Sequence, residues 1–134
     1  MKYTKGRFKY QLVEDVHHQT KIFPEKDIRT LFAELTRGGY LTVYTGYAWD
    51  GPSGPTIDSK SSIRGSMLHD VLYMLIRKRW LDPKHRKEAD RILRDVCIED
   101  GMWEFRARVW YVGVRKGAWW AAKPAHAKKV LEAP

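Results

Sequence analysis

A segment crowded with glycine and proline, residues 49–58, divides this chain into two halves with different sequence patterns. It reads WDGPSGPTID, with two glycines and two prolines in ten residues. Neither residue type favours the interior of a helix or a strand, so the segment is predicted to be an irregular loop. The backbone carbonyls of such a loop are not taken up by a helix or a sheet, which leaves them available to bind a ligand.

The residues before this loop have the pattern of β-strands. Residues 8–13 alternate weakly between apolar and polar side chains, and residues 28–35 fit either a strand or a short helix. Residues 40–47 are the strongest predicted strand, because β-branched and aromatic residues follow the turn signal Gly38-Gly39. A β-hairpin over about residues 28–47 is therefore predicted.

The residues after the loop have the pattern of helices. Apolar residues recur every fourth position and predict a helix over about residues 62–79, with a stripe formed by Ile63, Met67, Val71 and Leu75. Asp82-Pro83 is a typical N-cap and first-turn pair, which predicts a second helix from there to about Asp100. A third helix is predicted over about residues 102–119 and is apolar on several sides.

These patterns predict an α+β fold, an N-terminal antiparallel hairpin or meander followed by about three helices, two of them antiparallel. The length of 134 residues suits one core, so residues 1–120 are expected to form a single domain and the basic residues 121–134 a flexible or docking tail. A hydrophobic content of 43% argues against disorder. The one cysteine, Cys97, excludes an internal disulfide and is expected to be an inert core residue.

The charge of the chain favours an anionic partner. Its 25 lysines and arginines against 16 acidic residues give a formal net charge of +9. Phospholipid headgroups, nucleic acid and acidic proteins are all compatible with that charge. Nucleic acid is the least favoured, because the basic residues are scattered and no binding motif is recognisable. The basic N-terminus lacks an apolar stretch typical of a signal peptide, which predicts a protein of the producing cell's cytoplasm.

The pair His69-Asp70 is the centre of a candidate catalytic site. On a helix His69 shares a face with Tyr73, while Asp70 points about 100° away, so the two neighbours can serve different parts of one cavity. Asp90 on the next helix needs a partner for its charge. It has two candidates: Arg86, in a plain i,i+4 ion pair, or His69 across an antiparallel helix pair.

The chemistry that this arrangement favours is ester hydrolysis. His69, oriented by Asp90, would act as a general base on water. Asp70 and carbonyls of the loop would bind a hard cation, with Asp50 or Asp58 as further ligands. Oxygen ligands favour Ca²⁺ over Zn²⁺. Structural alternatives fit the same residues: packing for the His-Asp pair, a simple turn at Asp50-Gly51, and a core position for Trp49.

A His-Asp-x-x-Tyr helix, preceded by a glycine-rich loop and followed by an aspartate on the next antiparallel helix, resembles secreted phospholipase A2, especially the compact prokaryotic enzymes. The resemblance implies that His69 is catalytic, that Asp90 supports it and that Tyr73 is its structural tyrosine. It also implies that Asp70 binds calcium together with loop carbonyls, which fall at Trp49, Gly51 and Ser53. The loop departs from the family's usual Tyr-Gly-Cys-x-Gly pattern, and the flanking cysteines are missing.

A second resemblance covers more of the chain. The motifs GYxWDGPS at residues 46–53, RGSxxHDxxY at 64–73 and RxxAD at 86–90 resemble an uncharacterised family of tailed phages and bacterial prophages. This resemblance implies a phage-related setting and no particular activity. Two functions from different classes follow: a phage-related, calcium-dependent phospholipase A2-like hydrolase, or a non-catalytic virion or assembly protein that contacts phage structural proteins.

Overall fold

A computed structural model describes residues 1–6, 10–51 and 60–117, and these residues confirm the predicted α+β arrangement. The strands precede the helices. They are β1 (Tyr3–Lys5), β2 (Tyr10–Leu12), β3 (Val16–Gln19), β4 (Ile28–Arg29), β5 (Ala33–Leu35), β6 (Tyr40–Val43) and β7 (Ala48–Trp49). The helices are α1 (Lys60–Arg77), α2 (Arg86–Glu99) and α3 (Glu104–Gly117), with a 3-10 turn at Pro83–His85 before α2.

The strands form two antiparallel sheets. One has the order β1-β2-β7 and the other the order β3-β6-β5-β4. The predicted hairpin over residues 28–47 is a meander of β4, β5 and β6. Its second turn requires glycine at Gly39, where φ is +84° and a Cβ atom would lie 2.7 Å from the carbonyl oxygen of Thr20. Residues 28–35, for which the sequence allowed a strand or a short helix, contain the two short strands β4 and β5.

The structure corrects the predicted position of Trp49. That residue was predicted to begin the irregular loop, but it lies in β7 and pairs with Tyr10 of β2. Its side chain is buried, stacks on Tyr10 at 5.5 Å between ring centroids, and donates a hydrogen bond from Nε1 to Ser66 Oγ at 3.2 Å. Packing of this large aromatic side chain therefore extends the sheet to the edge of the loop.

Two further strands, β1 and β3, have no clear signal in the sequence. Strand β3 contains the polar pair His17-His18, and its register is set by β6, with Val16 opposite Val43 and Gln19 opposite Tyr40. The predicted tail, residues 121–134, and the last two residues of the predicted third helix lie outside the described residues. No helix in the described part of the chain has both the length and the apolar character needed to cross a membrane.

Helices α1 and α2 are antiparallel and pack closely. Arg64 near the start of α1 pairs with Asp100 just after α2, whereas His69, further along α1, contacts Asp90 near the start of α2. Gly65 permits this close approach. A Cβ atom there would lie 2.8 Å from Cys97 Sγ and 3.1 Å from the carbonyl oxygen of Leu93. The site described below is built on this pair of helices.

We expect Gly65→Ala to destabilise the protein by about 1–2 kcal/mol. Overpacking against α2 outweighs the better helix propensity of alanine, which is worth up to about 1 kcal/mol. Gly113→Ala is the matched control, because Gly113 is also helical and a Cβ atom there meets nothing within 4 Å. Urea unfolding should show a loss of stability for the first variant and no loss for the second. Equal stability of both variants would contradict close packing at Gly65.

Candidate active site

The carboxylate of Asp90 is fully buried, with 0% of the residue exposed, and lies where three helices meet. Its Oδ1 atom lies 2.7 Å from Nε2 of His69 and accepts a 2.5 Å hydrogen bond from the phenol of Tyr73. Both partners belong to α1, one turn apart. The structure thus brings together His69, Asp90 and Tyr73, the three residues predicted from the sequence for the catalytic group.

The other oxygen of Asp90 faces two arginines. Oδ2 accepts a hydrogen bond from Nη1 of Arg115 at 2.8 Å, and Nη1 of Arg86 lies 3.9 Å away without a hydrogen bond to any described residue. Both partners that the sequence offered for Asp90, His69 and Arg86, are therefore close to it. Arg115 was missed by the sequence analysis. Arg115 lies eight residues after Ala107, at the edge of the face of α3 that packs against α2, so the sequence gives no clear signal for its contact with Asp90.

These contacts keep Asp90 ionised. Burial on its own would raise the pKa of this carboxyl group, but hydrogen bonds from His69, Tyr73 and Arg115 bring the pKa below its ordinary value. The pKa of the Tyr73 phenol is raised, first by burial and then by the hydrogen bond to Asp90. At neutral pH Tyr73 therefore donates its hydrogen bond to an ionised carboxylate.

The contact with Asp90 determines which nitrogen of His69 can act as a base. An ionised carboxylate accepts hydrogen bonds only, so Nε2 carries the proton of the neutral ring. Nδ1 is then the basic nitrogen, and no described residue forms a hydrogen bond with it. The ring packs against Tyr73 at 4.1 Å between centroids, and the side chain remains 13% exposed. A histidine oriented by a carboxylate in this way can act as a general base on a group that reaches Nδ1.

Asp70 faces a different set of groups from His69. Its Oδ2 atom accepts a hydrogen bond from the phenol of Tyr47, a buried residue between β6 and β7. Burial raises the pKa of Asp70 above its ordinary value. The hydrogen bond from Tyr47 and the charge of Arg77 oppose this rise, while the charge of Asp50 adds to it. The sequence does not indicate Tyr47 as a partner of Asp70, because its pattern predicts one continuous strand over residues 40–47, whereas β6 ends at Val43.

The residues near Asp70 fit a hard cation by their donor chemistry. Asp50 lies close enough to Asp70 to affect its pKa, and the two carboxylates supply oxygen atoms of the kind that Ca²⁺ binds. Gly51 follows with φ +84°, where a Cβ atom would meet the Tyr10 ring at 2.5 Å. Ser53, the last of the predicted ligands, lies outside the described residues. Within the described ranges no three His, Cys, Asp or Glu side chains are grouped around one position.

Comparison of the chain with protein-family models, with curated proteins and with solved structures found no match.

We expect Asp90→Asn to lower the free energy of unfolding at pH 7 by about 3–5 kcal/mol. The substitution removes the buried charge that pairs with the partly exposed guanidinium of Arg115, and it leaves the buried Nη1 atom of Arg86 without a nearby counter-charge. Breaking a buried ion pair from one side is costly. Asp95→Asn is the matched control on the same helix, since that carboxylate is 62% exposed and pairs with the neighbouring Arg94 at the surface. Urea unfolding of both variants measures the difference. A loss no greater than that of Asp95→Asn would contradict the central place of Asp90.

The contribution of Asp90 to the free energy of unfolding should decrease at acidic pH. Because the folded pKa lies below the ordinary value of 3.8, its stabilising contribution is complete above about pH 4 and is lost as the pH falls through the folded pKa. The stability difference between the wild-type protein and Asp90→Asn should therefore shrink below pH 4. Urea unfolding across pH 2.5–7 would measure it. A difference that grows on acidification would contradict the lowered pKa.

Proposed function

We propose that this chain is a phage-related, calcium-dependent ester hydrolase that resembles phospholipase A2. The observation that carries the proposal is the 2.7 Å contact between Nε2 of His69 and the fully buried carboxylate of Asp90. It combines a partly exposed histidine with a fixed counter-charge, as a water-activating base requires. The spacing of His69, Asp70, Tyr73 and Asp90 supports the same reaction through the family resemblance.

The reaction uses the two nitrogens of His69 for different purposes. A water molecule hydrogen-bonded to Nδ1 loses a proton to that nitrogen as its oxygen attacks the carbonyl carbon of the ester. The imidazole becomes positively charged, and the carboxylate of Asp90 at Nε2 offsets that charge. His69 then returns the proton to the departing alkoxide, which completes hydrolysis to a carboxylic acid and an alcohol. Tyr73 holds the carboxylate of Asp90 in place during both steps.

Asp70 and Asp50 would hold the cation through their carboxylates, with backbone carbonyls of Gly51 and Ser53 as further ligands that the resemblance implies. The resemblance also implies the carbonyl of Trp49, but that residue is paired with Tyr10 in β7. When bound, Ca²⁺ would polarise the ester carbonyl and stabilise negative charge on its oxygen. The phenol of Tyr47 positions Asp70 through its hydrogen bond to Oδ2.

The test is the release of fatty acid from phospholipid in mixed micelles, with Ca²⁺ or with a chelator. We expect release that requires Ca²⁺ and falls by about 10²–10⁴-fold in His69→Gln, the usual contribution of a general base. His85→Gln is the matched control, because His85 is only partly buried and lies in the 3-10 turn before α2. Absence of release from the wild-type protein, or full release by His69→Gln, would contradict the proposal.

A non-catalytic role in the phage particle or its assembly is the second candidate. Its support is the exposure of large apolar side chains around α3, among them Trp103 and Phe105, because exposed apolar patches often mark surfaces that a partner covers. In that case the protein would contact phage structural proteins, in the cytoplasm of the producing cell or on the virion. Co-purification with particles, together with unchanged infectivity of phage that carries His69→Gln, would favour this role over catalysis.

A further inference from the structure

Helix α3 is apolar on two sides, and only one of them packs against other residues that the structure describes. The inner side contains Ala107, Trp110 and Val114, which pack against residues of α2. The outer side presents Phe105, Val109 and Val112, which are 80%, 52% and 48% exposed. Their spacing of four and three residues places them in one row along the helix. We call these three residues, with Trp103 immediately before the helix, the outer stripe.

The core of the protein does not explain the outer stripe. Trp103 is 84% exposed, so this large side chain stabilises the described fold very little. Scattered apolar residues on a surface are ordinary, but a row of them on one helix face is typical of a binding surface. The outer stripe therefore needs a partner that can bury apolar side chains.

The charges on α3 indicate what kind of partner this is. The helix carries four basic residues and one acidic residue, Glu104. Lys116 follows Val112 by four residues and continues the row. Arg108 lies beside the row and pairs with Glu104. Basic side chains at the edge of an apolar row fit an anionic surface with an apolar interior.

The same charges argue against two other partners. A second copy of the chain would bring two basic α3 helices together, in a protein whose formal net charge is already +9. Single-stranded nucleic acid would use aromatic side chains for stacking, but two of the four members of the stripe are valines, which offer no such platform. A lipid surface accommodates both the valines and the aromatic residues.

We propose that the outer stripe docks α3 on the surface of an anionic phospholipid bilayer. Trp103 and Phe105 enter the boundary of the acyl chains, and Lys116 and Arg108 lie at the headgroups. The last turn of the same helix supplies Arg115, whose guanidinium binds Asp90 at 2.8 Å, so the docked helix also contacts the candidate site. The choice of phospholipid rests on the proposed function, whereas the exposed stripe and its charge do not.

The experiment is co-sedimentation of the full chain with vesicles of phosphatidylglycerol and phosphatidylcholine, or of phosphatidylcholine alone, in chelator so that no lipid is hydrolysed. We expect Phe105→Ser to weaken binding to the anionic vesicles about tenfold, since it removes one large apolar side chain from the lipid. Lys116→Gln should weaken binding about fivefold on the anionic vesicles only. Leu31→Ser is the matched control, because Leu31 is 83% exposed but lies between β4 and β5.

Three results would overturn docking by the outer stripe. Phe105→Ser could bind the anionic vesicles as the wild type does, or Leu31→Ser could weaken binding equally. Alternatively, a concentration-dependent dimer that Phe105→Ser dissociates would assign the stripe to a second copy. Circular dichroism of each variant would verify that the fold is retained.

Failure of docking and failure of the proposed hydrolase can be told apart. His69→Gln should bind vesicles as the wild type does, because His69 is not part of the outer stripe. If stripe variants lose binding and the wild-type protein releases no fatty acid with Ca²⁺, docking stands and hydrolysis fails. If the wild-type protein releases fatty acid but the stripe variants bind normally, hydrolysis stands and docking fails.

Discussion

The buried negative charge of Asp90 is the interaction on which the arrangement of the helices depends. A carboxylate with no exposed surface is stable only when its oxygen atoms are hydrogen-bonded or paired with cations. Two partners, His69 and Tyr73, come from α1, and Arg115 comes from the far end of α3. The requirement to satisfy this one group therefore fixes the register between α1 and α2 and ties α3 to both.

The same interaction gives the candidate site its chemical character. A charge that stabilises the helix junction also holds the proton of His69 on Nε2 and leaves Nδ1 as the basic nitrogen. Stability and reactivity are linked here, because any change that neutralises Asp90 weakens the junction and frees the ring of His69. Asp70 points to a separate cluster with Tyr47, so two adjacent residues of one helix serve two different environments.

Much of this arrangement could be predicted from the sequence, because it depends on local periodicity. The apolar stripe of α1 and the short connection to α2 place His69 near Asp90. Arg115 and Tyr47 could not be predicted, since their contacts depend on how α3 and the β6–β7 turn fold back onto α1. The prediction of a loop at Trp49 was wrong. The glycines and prolines after Trp49 favour a loop, but stacking on Tyr10 stabilises a short strand there.

The tautomer of His69 tests the central claim most directly. Long-range ¹H–¹⁵N spectra of the full chain with ¹⁵N-labelled histidine report which ring nitrogen carries the proton, and His69→Gln identifies the signals. When the ring is neutral, the proton should reside on Nε2, and Asp90→Asn should remove that preference. A proton on Nδ1, or a spectrum of His69 that does not respond to Asp90→Asn, would contradict the assignment of His69 as a base oriented by Asp90.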